Sequence, residues 1–201
     1  MDPRRAITLG ILAGGRAQRL GGLDKAWLQH DGQPLVQRLA QTLAPTVAAV
    51  LVSANRDLSR YAAIGLRAVP DRIQAPAQAP RSLGPIAGVD ALAAACFTPW
   101  LLTVPVDACQ LPPALPALLA AVGVAGDGAW LEDAAGVQPL VALYRLAALR
   151  PALDAVLAAA VYAPWRLQQC LDMVPLRLPD LVLGNLNTPQ DLSAAGILPT
   201  S

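Results

Sequence analysis

Ile7-Thr8-Leu9-Gly10-Ile11-Leu12-Ala13 runs straight into Gly14-Gly15-Arg16-Ala17-Gln18-Arg19-Leu20-Gly21-Gly22-Leu23-Asp24-Lys25, an apolar run followed by a loop with four glycines. The apolar run predicts a buried strand over residues 7–13. Glycines after a first strand let backbone N–H groups approach and wrap an anion, and Arg19 and Lys25 add two fixed positive charges. The spacing is not the dinucleotide fingerprint G-x-G-x-x-G, nor a Walker A loop, because no glycine is followed by Lys and then Ser or Thr. The loop reads as a phosphate cradle of another kind. Lys25 is the only lysine among fifteen basic residues. Its compact ammonium suits one phosphate oxygen better than the planar fork of arginine does.

Outward from this loop, apolar runs alternate with amphipathic stretches. Strands are predicted at 48–53, 66–69, 100–104, 129–132, 138–144 and 174–178, and helices at 35–43, 58–63, 86–95, 114–122, 146–159 and 189–194. This alternation predicts an α/β fold of three layers with a mostly parallel sheet. The pair of strands joined through Asp133-Ala134-Ala135-Gly136 reads as a hairpin, which makes the sheet mixed. A second long loop, 70–85, carries Pro70, Pro76, Pro80 and Pro85 and follows a predicted strand end, where open α/β sheets bind ligands. With no internal repeat and no linker, residues 1–201 are expected to form one domain.

Composition excludes several classes. The formal net charge is +1, too small for nucleic-acid or acidic-membrane binding by bulk charge. Hydrophobic residues make up 55% of the chain, which excludes disorder. The longest charge-free apolar stretch, 91–106, is interrupted by Pro99 and Pro105 and is too short to span a bilayer. The N-terminus shows no signal-peptide pattern, so a cytoplasmic location is expected. Cys96, Cys109 and Cys170 are widely spaced and odd in number, and His30 alone completes no Cys/His metal site. Cys109 is read as a packing residue, and His30 as a turn residue without a catalytic role.

The segment Leu12 to Lys25 resembles the N-terminal signature of nucleotidyltransferases with a Rossmann-like fold. The doubled glycines before Asp24-Lys25 resemble the molybdenum cofactor guanylyltransferase branch. Further resemblances follow in order: Gly84-Pro85-Ile86-Ala87-Gly88, Val104-Pro105-Val106-Asp107, Gln138-Pro139-Leu140-Val141-Ala142-Leu143-Tyr144, and Asn185-Leu186-Asn187-Thr188-Pro189-Gln190-Asp191-Leu192.

The resemblance implies transfer of GMP from GTP to molybdopterin with release of pyrophosphate. The N-terminal part would bind GTP and the C-terminal part the acceptor. It implies Lys25, Arg19 and Asp107 as catalytic residues, with Asp107 holding Mg²⁺, since Mg²⁺ prefers one or two carboxylates plus phosphate oxygens. Leu12, Ala13, Gly14, Gly15, Lys25, Ser53, Asp71 and Asp107 would contact the nucleotide, with N–H groups from Ala13 to Gly15 on the triphosphate. Asp71 would accept from a guanine edge or a ribose hydroxyl. Asn185 and Asn187 would bind the acceptor's pterin or phosphate or help orient the metal, although Asn187 also suits a helix cap.

The implied partners are GTP, molybdopterin and, by transient contact, cofactor-biosynthesis proteins or apo-molybdoenzymes. Three departures stand out. Ser53 replaces an asparagine, Ala26 replaces a glycine after the lysine, and Ala108-Cys109-Gln110 lacks a proline usual after Asp107. Cytidylyl transfer from CTP, a non-catalytic cofactor carrier and a sugar-phosphate nucleotidyltransferase are the alternatives.

Overall fold

The computed structural model describes residues 2–14, 24–73, 83–108, 110–184, 186, 189–194 and 196–198. The chain forms α1 (Pro3–Ala6), β1 (Ile7–Leu12), a 3₁₀ turn (Lys25–Trp27), β2 (Gln29–His30), β3 (Gln33–Pro34), α2 (Leu35–Leu43), a 3₁₀ turn (Ala44–Thr46), β4 (Ala49–Ser53), α3 (Leu58–Ala63) and β5 (Arg67–Val69). It continues with α4 (Pro85–Ala95), β6 (Trp100–Pro105), α5 (Leu115–Gly123), β7 (Gly128–Asp133), β8 (Gly136–Arg145), α6 (Leu146–Ala158), α7 (Pro164–Gln169), β9 (Met173–Leu178), α8 (Pro189–Ala194) and β10 (Ile197–Leu198). Seven strands make one sheet in the order β5-β4-β1-β6-β8-β7-β9, and β10-β2-β3 form a small second sheet. In the large sheet only β8 runs antiparallel to its neighbours.

Side-chain alternation divides the core between the two faces of the sheet. Ile7, Leu9 and Ile11 of β1 and Leu102 and Val104 of β6 meet α2 and α5 on one face. Leu101, Ala142 and Tyr144 meet α4 and α6 on the other. The three-layer α/β architecture and the mixed sheet are therefore as the sequence predicts. His30 is a correction: it lies in β2, and the turn is at Asp31-Gly32, both with positive φ (52° and 73°). That is the mirror-image turn which matches strand twist in a two-residue hairpin, with glycine second.

α4 packs unusually close to the sheet, because two glycines remove the side chains that would hold it off. A Cβ on Gly10 would lie 2.8 Å from Leu92 Cδ1, and one on Gly88 would lie 2.7 Å from Ser53 Oγ and 3.0 Å from Leu12 Cδ2. The opposite end of the sheet is closed by a carboxylate. Asp133, 6% exposed at the end of β7, accepts from the Leu183 N–H (2.8 Å), the Ala135 N–H (2.9 Å) and Gln138 Nε2 (3.1 Å). Burial alone would push its carboxyl up. The donors from Leu183, Gln138, Ala135 and Gly136 outweigh burial and hold it below the ordinary value of 3.8.

Two stability predictions follow from these contacts. Gly88→Ala gains helix propensity but overpacks Ser53, and is expected to destabilise by about 1 kcal/mol net. Adding Ser53→Ala should restore part of that loss in denaturant unfolding, and a Gly88→Ala protein as stable as the parent would contradict the close approach. Asp133→Asn is expected to cost about 1–3 kcal/mol near neutral pH. Because the folded carboxyl titrates below the unfolded one, its stabilisation is present above about pH 3.8 and fades as pH falls through the folded value. The gap between parent and variant should thus narrow in acid; a constant or widening gap would sink the assignment.

Candidate active site

β1 lies between β4 and β6, so the chain runs outward to β5 and then returns to β1's other side. In such sheets ligands bind in the crevice at the carboxyl ends of the strands where the order reverses. Here that crevice is bordered by the ends of β1 and β6. The Val106 N–H donates to Leu12 O at 3.1 Å and the Ala13 N–H to Ser53 O at 2.9 Å, extending the ladder one step past each strand. The Ala13 N–H and the Leu12 carbonyl are thus taken by neighbouring strands, whereas the Gly14 N–H, next along the chain, has no acceptor among the described residues. Gly15 and Arg19 lie outside the described residues, as does Cys109.

Lys25 is brought back to this crevice by local burial. Asp24 Oδ1 accepts from the Ala26 N–H at 3.0 Å and starts the short 3₁₀ turn. Ala26 and Trp27 are buried, with Trp27 packed on Tyr61 at 4.8 Å between ring centroids and the Arg60 guanidinium 4.0 Å over the indole. Ala26 in place of glycine is therefore a packing residue. The Lys25 ammonium then donates to Asp107 Oδ2 at 2.6 Å, with both side chains about one-fifth exposed or less. Asp107 stands in the tight turn closed by the Ala108 N–H on Pro105 O at 3.0 Å. Two opposite charges at reduced hydration hold each other in place, so each helps to fix the orientation of the other.

On the β4 side, Ser53 is 1% exposed and its hydroxyl lies beneath Gly88 of α4. Its neighbour Asn55 is the residue at the surface, where its Nδ2 donates to Asp71 Oδ2 and its Oδ1 accepts the Asp71 N–H, both at 2.8 Å. Asn55 was not singled out from sequence, because nothing in its spacing signals a partner sixteen residues away. Ala13, Gly14, Asp24, Ala54, Asn55 and Arg56 line a concavity at these strand ends. Burial pushes the Asp24 carboxyl up within it, partly offset by the Ala26 N–H and by Arg56.

On the β8 side, the ladder with β7 is interrupted after Trp130, at the same carboxyl edge. Thr103 Oγ1 donates to the freed Leu140 carbonyl at 3.0 Å and Gln168 Nε2 to that of Pro139 at 2.9 Å. Asn185 and Asn187 lie outside the described residues, while Leu183 and Leu186 on either side of Asn185 are buried in the core. Among the described residues no group of three or more His, Cys, Asp or Glu is arranged to hold a metal ion. A single carboxylate at the mouth of the crevice fits a cation shared with substrate phosphates, not a closed protein cage. No described helix is long and apolar enough to cross a membrane.

The family model described as the MobA-like NTP transferase domain matches residues 9–170. The chain is 35% identical over 196 residues to the molybdenum cofactor guanylyltransferase of Pseudomonas paraeruginosa, covering 91% of each chain. With the molybdenum cofactor guanylyltransferase of Ralstonia nicotianae it shares 40% identity over 119 residues, a match spanning 59% of this chain and about half (55%) of the relative. The solved structure of molybdopterin-guanine dinucleotide biosynthesis protein A from Archaeoglobus fulgidus has the same fold, with a TM-score of 0.72 at 18% identity over 94% of this chain and 96% of that one. The chain belongs to the family of the MobA-like NTP transferase domain and is a nucleotidyltransferase.

Proposed function

We propose that the protein transfers GMP from GTP to the terminal phosphate of molybdopterin, releasing pyrophosphate in the cytoplasm. The observation that carries this is the Lys25–Asp107 pair at 2.6 Å, at the reversal of strand order. It joins one cation and one carboxylate where a triphosphate would enter, in a chain similar to guanylyltransferases. In this reading residues 1–201 act as one unit, with the N-terminal strands binding GTP and the β7–β9 side binding the acceptor.

An acceptor phosphate oxygen attacks the α-phosphorus in line, the new O–P bond forms, and the α–β anhydride bond breaks toward pyrophosphate. Reactions of this kind depend on positioning and charge stabilisation more than on covalent help from the protein. Lys25, with Arg19, neutralises the charge that builds on the departing pyrophosphate. The Gly14 and Gly15 N–H groups bind the triphosphate. Asp107 is the residue that would hold Mg²⁺, which when bound offsets phosphate charge. Asp71 accepts from guanine N–H donors. Asn185 and Asn187 bind the acceptor.

The test is pyrophosphate release from GTP, CTP and ATP with a molybdopterin acceptor, with Mg²⁺ and with chelator. Release confined to GTP and dependent on acceptor supports the reading; release with CTP in its place moves the protein to cytidylyl transfer, and none with any nucleotide from folded protein indicates a carrier. Lys25→Ala and Asp107→Asn are each expected to lower transfer by about 10²- to 10³-fold with the fold intact. Near-parental rates in both variants would overturn the proposed roles.

A further inference from the structure

We propose that Asn55 sets the nucleobase selectivity of the site, acting through Asp71; this rests on the guanylyl-transfer reading. Residue 71 is gripped at two atoms by one side chain, since the Asn55 amide both donates to the carboxylate Oδ2 and accepts the backbone N–H, each at 2.8 Å. The carboxamide carries a donor and an acceptor on one planar group and so makes both bonds at once. Residue 72 is gripped from the other direction. Arg72 donates from Nε and one terminal nitrogen to the two oxygens of Asp90, at 3.1 and 3.0 Å, and Asp90 is 5% exposed on α4. Consecutive residues are thus tied to two different elements, which fixes the path of the chain just past β5.

The consequence is a carboxylate of fixed orientation. Asp71 Oδ2 is committed to Asn55, and no described residue donates to Oδ1. A fixed acceptor reads a base edge by rejection as well as attraction. Guanine offers N–H donors at N1 and at its 2-amino group, whereas adenine turns a ring acceptor toward the same place and would leave two lone pairs opposed. A carboxylate free to rotate would relax that contrast. The buried Ser53, whose hydroxyl lies under α4, cannot supply the restraint, and Asn55 borders the same concavity as Gly14. Asn55 is accordingly a positioning residue.

The experiment compares kcat/KM for GTP, ITP and ATP in the parent, Asn55→Ala and Asn55→Asp proteins. Inhibition by inorganic tripolyphosphate reports separately on the triphosphate half of the site. Loss of the two-point grip is expected to lower the GTP-to-ATP ratio by at least about tenfold, the discrimination typical of hydrogen bonds to a charged partner. The gap between GTP and ITP, which differ only in the 2-amino group, should shrink in parallel, with tripolyphosphate inhibition within about twofold of the parent. Asn55→Asp keeps size and one acceptor but sets a second carboxylate against Asp71, so it should be no better than Asn55→Ala. A uniform fall for all three nucleotides, or an unchanged ratio, overturns the inference while leaving the guanylyl reading intact. A parent protein that does not prefer GTP overturns that reading itself.

Discussion

Hydrogen bonding of β1 on both flanks, to β4 over Thr8–Leu12 and to β6 over Ile7–Leu12, is the constraint on which the carboxyl edge of the sheet depends. Because β1 is central and parallel to both neighbours, three segments distant in sequence end together: Ala13-Gly14, Ala54-Asn55 and Val106-Asp107. Each then leaves the sheet through a different connection, so three loops face one crevice. The close seating of α4 on β1 and β4 keeps these strand ends in register with the helix that follows the nucleotide-side loop. Were Gly10 or Gly88 larger, α4 would stand off and that alignment would be lost.

A common pattern runs along this edge. Three carboxylates there are each held by a donor from a distant stretch of chain: Asp107 by Lys25, Asp71 by Asn55 and Asp133 by Leu183. Carboxylates at reduced hydration need such partners, and the partners double as cross-links between loops. The polar contacts therefore order the rim of a sheet whose interior is ordered by apolar packing. Lys25 is aimed by the burial of its two successors, Ala26 and Trp27.

The layers and the large sheet were legible because their signal is local. Ile7-Thr8-Leu9-Gly10-Ile11 and Trp100-Leu101-Leu102-Thr103-Val104 are continuous apolar runs, and a doubly buried parallel strand needs nothing else. The two-residue strands β2, β3 and β10 were not legible, since Gln29-His30 and Gln33-Pro34 carry no period and form only because the Asp31-Gly32 turn and Ile197 align them. Within the site, Lys25 and Asp107 could be read from their motifs. Asn55 and Asp133 could not, because each matters through a partner that only the fold brings near. At Ala13 and Ser53 the fold adds what the motif does not carry: the ladder takes the N–H of one, and the hydroxyl of the other lies beneath Gly88 of α4.

The pairing of Ile7 with Trp100 has a consequence for how the chain is made. During synthesis the flank of β1 that faces β6 has no partner until the chain has grown past Pro105, although β4 and β5 are already available on the other flank. An apolar strand with one open edge is the kind of surface that pairs with foreign strands. The first half of this protein thus emerges from the ribosome as a sheet whose middle is still a border, and β6 heals that border while completing the crevice.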